Sequence, residues 1–112
     1  WLGPGLHVIT ERSLGAGDDG PRVARARAAL AGAAAPVPFE AWAELLCLHS
    51  VPDPRQGTCL HVPAFGYGTR SSFLLRLGPD PAAALCAWTE GPPCTSRWVD
   101  GTVELRAVVA AG

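Results

Sequence analysis

Tyr67-Gly68-Thr69-Arg70-Ser71-Ser72, running on into Phe73-Leu74-Leu75, is the stretch that decides how this chain is read. Gly66 and Gly68 let the backbone bend without Cβ clashes. They deliver Thr69 and Arg70 to the start of a strand that then enters a core. Arg70 carries a fixed fork of donors suited to a carboxylate or a carbonyl; the plain alternative is a solvated hairpin residue. Working outward, Thr69–Leu77 is a strand, Gly78-Pro79-Asp80-Pro81 a turn, and Ala83–Thr89 the antiparallel partner. Gly91-Pro92-Pro93 is a rigid strand exit with Glu90 solvated, and the tail 103–110 fits either a strand or a helix, with helix the preferred reading.

Upstream, Leu6-His7-Val8-Ile9-Thr10 reads as a strand on which His7 faces away from Leu6 and Val8. Asp18 and Asp19 precede Pro21, as at a helix N-terminus. Val23, Ala26, Ala29 and Leu30 then form an apolar stripe at helical spacing that ends near Gly32. After the low-complexity tract 31–38, Pro38 opens a second helix. Phe39, Trp42, Leu45 and Leu46 share one of its faces, with Glu40 and Glu44 opposite. Pro52 and Pro54 require it to stop by His49, and 58–62 is a short strand. Strands in pairs with two helices between them give an α+β class, a mainly antiparallel sheet with helices on one face.

A chain of 112 residues is at most one domain. Its hydrophobic fraction of 48% overstates the core, because much of it is Ala. A net charge of −1 without a basic stripe speaks against nucleic acid. The uncharged stretch 28–39 is too short and too proline-broken for a membrane span. Of Cys47, Cys59, Cys86 and Cys94, three lie inside apolar runs, which favours reduced, buried thiols in a cytoplasmic protein.

Cys47-Leu48-His49 and Cys59-Leu60-His61 repeat one pattern, and four such ligands are the set a Cys₂His₂ zinc site uses. On a helix, however, residues 47 and 49 point to nearly opposite sides, and zinc cysteines usually lie two to four residues apart. The expectation is therefore no structural metal at these four positions. Trp42, Trp88 and Trp98 read as core or interface anchors.

The string Tyr67-Gly68-Thr69-Arg70-Ser71-Ser72 closely resembles the YGTRSS signature of the NRDE family, which includes the transport and Golgi organisation protein 2 group. Gly5–Thr10, followed by an acidic turn and Pro21–Arg27, resembles that family's mid-chain strand and basic helix. Ala87-Trp88-Thr89-Glu90-Gly91 sits where its following strand would be. The resemblance spans roughly residues 3 to 95 and covers only the C-terminal half of a family member, so residues 1–112 are expected to form a single partial domain. It implies part of the four-layer αββα sandwich of the N-terminal-nucleophile hydrolases, completed by a missing N-terminal half or by a second chain. It implies no required cofactor, and haem as a cargo.

N-terminal-nucleophile chemistry needs Cys, Ser or Thr at the mature first residue, and position 1 here is Trp. No catalytic residue is expected within this chain. In the related bile-salt-hydrolase kind of enzyme, an Arg on a matching strand lies beside the nucleophilic cysteine, and Arg70 falls on that position. Those enzymes also place an Asn after a strand ending in Thr. Here Glu11 follows Thr10, and a carboxylate repels a developing oxyanion; a one-residue shift would move that burden to Arg12. The candidate pocket residues are thus Arg70, Thr69, Tyr67, Thr10 and Glu11. Three readings follow: a family member, non-enzymatic or of unassigned activity, linked to intracellular haem mobilisation; the C-terminal part of an amide or acyl hydrolase whose cysteine lies elsewhere; or an interaction domain without a small-molecule site.

Overall fold

In the computed structural model, which describes residues 3–9 and 20–112, the periodic stretch around Pro21 forms helix α1 (Gly20–Leu30). Its buried positions are Val23 and Ala26, three residues apart as one helical face requires. Helix α2 (Phe39–Leu46) starts directly after Pro38. Phe39, Trp42 and Leu45 are turned inward while Glu40 and Glu44 are exposed. Helix α1 packs on α2. Two arginines tie α1 to the turn at Pro54–Gln56: Arg22 donates to the Arg55 carbonyl, and Arg25 Nη1 to the Gln56 carbonyl at 2.9 Å.

Strands β1 (His61–Val62) and β2 (Tyr67–Gly68) make a two-stranded antiparallel sheet. Strands β3 (Ser72–Arg76), β4 (Leu85–Thr89) and β5 (Val99–Asp100) make a second antiparallel sheet in that order. The β3–β4 hairpin runs in register from Ser72↔Thr89 to Arg76↔Leu85. Its turn is stiffened by the Asp80 carboxylate, which accepts from the Ala82 amide at 2.9 Å. Helix α3 (Thr102–Ala111) packs on β4, where Arg106 Nε donates to the Ala84 carbonyl at 2.9 Å. Among the described residues the chain is α+β, with three helices and two antiparallel sheets.

Three expected strands are shorter or different, and each has a local reason. Residues 6–9 join no ladder with the described residues, and Thr10 lies outside them. Thr58 and Cys59 give their amides to the Leu48 carbonyl, at 2.9 and 3.0 Å, so β1 begins only at His61. Thr69 likewise gives its amide to Leu60 at 3.0 Å, which leaves β3 to begin at Ser72. Asp18 and Asp19, read as a helix start, lie outside the described residues.

The interior is thin. Its buried apolar positions are mostly small, with Ala26, Ala84, Ala87, Cys59 and Cys86 beside Val23 and Leu45. Thr89 is buried too, and satisfied: its hydroxyl accepts from the Ser72 amide at 3.1 Å and donates to the Gly91 carbonyl at 2.9 Å. On β3, Phe73 and Leu75 are 59% and 50% exposed, whereas Leu74, on the opposite side, is half-buried. The radius of gyration is 15.3 Å, against about 13 Å for a close-packed domain of this length. No helix among the described residues is long and apolar enough to cross a membrane.

Candidate metal centre

Helix α2 stops at Leu46 and Cys47 caps it, so His49 is already off the helix. The argument that placed residues 47 and 49 on opposite helical sides therefore does not apply to His49. What happens next is decided by Gly57. Its Cα lies so close to the chain leaving α2 that a Cβ there would come within 2.7 Å of the Leu48 carbonyl oxygen. Only a residue without a Cβ allows this approach. It lets Thr58 donate its hydroxyl to the Leu45 carbonyl, which lies in the last turn of the helix and also takes the Leu48 amide. The docked segment carries Cys59 to His49.

The opening string acts on the same segment from the other side. Gly68 passes so close to Leu60 that a Cβ would lie 2.8 Å from its carbonyl oxygen. Thr69 Oγ1 accepts from the Leu60 amide at 2.9 Å, and the Thr69 amide donates back to the Leu60 carbonyl at 3.0 Å. Leu60 is the residue between Cys59 and His61. The Gly-Thr pair thus fixes the backbone from which two reactive side chains project.

A third segment completes the group. Gly91, at φ 145°, lies in a conformation that favours glycine. The turn after it is closed by the Thr95 and Ser96 amides on the Pro92 carbonyl, at 3.2 and 3.0 Å. That turn presents Cys94. The ligand atoms of His49, Cys59, His61 and Cys94 all lie within 4.8 Å of one another. Cys59 Sγ is 3.5 Å from both Cys94 Sγ and His61 Nε2, and His61 Nε2 is 3.2 Å from Cys94 Sγ. The two imidazoles meet edge to face with centroids 5.1 Å apart. No disulfide joins Cys47, Cys59, Cys86 or Cys94.

Neither the family models, the curated proteins nor the solved structures contain a match to this chain.

Burial governs the two cysteines of the quartet, with Cys59 buried and Cys94 half-buried, while His49 and His61 are exposed. Cys59 is 1% exposed. Burial pushes its thiol up to about 11; a backbone hydrogen bond at Cys94 offsets part of this, while the Cys94 and Cys47 sulfurs add to the rise. Burial, then Cys94 and Glu44, also raise the Cys47 thiol. Raised thiols are poor nucleophiles at neutral pH. A bound cation reverses that balance, because a coordinated thiol gives up its proton.

Of the candidate pocket residues, Tyr67, Thr69 and Arg70 are neighbours on β2 and the segment after it, while Thr10 and Glu11 lie outside the described residues. Thr69 is engaged on Leu60, Tyr67 is exposed, and Arg70 is exposed without a hydrogen bond or ion pair to the described residues. Cys94 was not foreseen as part of any site, since it stands 33 residues from His61 with no spacing pattern to announce it. One signal was present: Cys94 is the cysteine outside the apolar runs, and so the one that packing alone does not explain.

Two of the clefts that α2 helps to line among the described residues share Trp42. One of about 490 Å³ lies between α2 and β3, with Phe39, Trp42 and Leu74 in its lining. The other, of about 600 Å³, is lined by Leu6, His7, Arg27, Leu30, Val37 and Trp42, among others. His7 Nε2 is 2.7 Å from the Gly3 carbonyl.

Proposed function

We propose that this chain is the C-terminal portion of an NRDE-type cytoplasmic protein, and that it works by binding and by completing a larger αββα sandwich rather than by catalysis. The observation that carries this reading is the use made of its signature string. Gly68 and Thr69 clamp the Leu60 backbone, and Arg70 is left solvated. A hydrolytic site would need Arg70 beside a nucleophile; the string serves architecture instead. The exposed Phe73 and Leu75 on β3 give a complementary half, from the same protein or from a second chain, an apolar surface to cover.

Haem is the cargo that the family resemblance implies. The two clefts beside α2 share Val37 and Trp42 and are of the size that small-molecule sites have. Their apolar walls suit a flat macrocycle, and Arg27 suits a carboxylate at its edge. Titration of the full chain with haemin should give a saturable change in the Soret band, weakened by Arg27→Ala. An unchanged spectrum at all haemin concentrations would remove haem from the reading. Turnover of a simple amide by this chain joined to a half that begins with a cysteine, lost in Arg70→Ala, would instead favour the C-terminal part of a hydrolase.

A further inference from the structure

We infer that His49, Cys59, His61 and Cys94 form a closed, tetrahedral zinc site that clamps three separate segments of this chain together. The inference stands on the quartet itself and does not depend on the family reading.

The first argument is metrical. Zinc bonds of about 2.3 Å to sulfur and 2.0–2.1 Å to nitrogen set tetrahedral ligand–ligand edges of about 3.4–3.8 Å. The observed edges are 3.5, 3.5 and 3.2 Å, with His49 inside the same 4.8 Å group. That space admits one ion and is too small for a multinuclear cluster. Two thiols with two imidazoles in tetrahedral array is a donor set of zinc or iron–sulfur sites, and the single-ion space points to zinc. All four positions come from the protein, as in structural sites rather than catalytic ones.

The second argument is architectural. The β1–β2 sheet and the β3–β4–β5 sheet share no strand pairing. Cys59 and His61 belong to the first region and Cys94 to the turn beside the second, while His49 follows α2. One ion would therefore join the α2 exit, the small sheet and the large sheet. A chain whose buried positions are mostly Ala and Cys has little apolar surface to do this by packing alone. The local backbone devices, Gly57 on Leu48 and Gly68–Thr69 on Leu60, hold two ligand-bearing segments in place before any ion arrives.

The test is metal analysis of the full chain purified under reductant, with cobalt substitution as the spectroscopic probe. The expected result is about one zinc per chain, removed by a chelator and restored by zinc alone. Cobalt should give a thiolate charge-transfer band and the visible bands of a tetrahedral ion. Cys94→Ser and His61→Ala should lose both, and Cys47→Ser and Cys86→Ser should keep them. The wild-type cobalt spectrum reports thiolate ligation even if a ligand variant does not fold. The inference is overturned if the reduced wild-type chain takes up neither metal. It is equally overturned if Cys47→Ser abolishes binding while Cys94→Ser retains it. A Cys59–Cys94 disulfide in the isolated protein, with no cobalt spectrum after its reduction, would show a redox pair in place of a metal site.

Discussion

Replacing Gly57 by alanine should destabilise the chain, although its backbone torsion is one that alanine adopts freely. Its φ is −79°, so no left-handed strain enters. The added methyl would stand 2.7 Å from the Leu48 carbonyl oxygen and 3.2 Å from both His49 Cα and Ser50 N. All three are backbone atoms, so no side chain can swing away. Overpacking of this kind costs about 1–3 kcal/mol. Relief by separating the segments stretches the two amide bonds onto Leu48, each worth about 0.5–1.5 kcal/mol. Against this, losing a glycine stiffens the unfolded chain and returns about 0.4–1 kcal/mol. The steric cost wins, with a net loss of about 2–3 kcal/mol. For a chain of this size that corresponds to a fall of about 8–12 °C in Tm. The matched control is Gly78→Ala, whose methyl meets nothing within 4 Å and should change stability by no more than about 0.5 kcal/mol. Thermal unfolding followed by circular dichroism on both variants decides the matter. If Gly57→Ala melts within about 2 °C of Gly78→Ala, the close approach at Leu48 is not what holds this segment.

Thr89→Val keeps the shape of a buried side chain but strips the Ser72 amide and the Gly91 carbonyl of their partner. The expected loss is about 2–3 kcal/mol, read as a lower urea midpoint with an unchanged slope; an unchanged midpoint refutes it. Asp53 is held below its ordinary value of 3.8 by hydrogen bonds from Arg55, and Asp100 is lowered by its bonds to Thr102. A depressed folded pKa means the stabilisation is present above the unfolded value and is lost as pH falls through the folded one. Carboxyl carbon titration by NMR should therefore give both midpoints below 3.8, and Asp53→Asn should flatten the fall in stability below about pH 4. A midpoint at or above the ordinary value would remove the Arg55 contact from the account.

Much of the local structure was legible because its signals are local. Two apolar runs around Gly78-Pro79-Asp80-Pro81 could only pair antiparallel once the turn was recognised, and β3 and β4 do so. Pro38, Pro52 and Pro54 bracket α2, and its 3.6-residue stripe names the buried face. The tail 103–110 fitted strand and helix alike in the sequence, with helix preferred, and α3 forms there. The exact strand starts were less legible. Amides at 58, 59 and 69 take carbonyl partners outside the ladders, and nothing in propensity forecasts that choice.

By itself, then, the sequence settled the α+β class, the hairpin and the two proline-bounded or periodic helices, because each rests on interactions within a few residues. It also supplied the Cys-x-His pair at 59 and 61 and an unexplained Cys94. Only tertiary structure decided that these meet. Cys94 reaches Cys59 across 35 residues, carried by the turn after Gly91, while His49 arrives because α2 ends one residue before Cys47. A ligand set drawn from three segments has no spacing of its own. It exists only once glycines at 57 and 68 have let backbone lie on backbone.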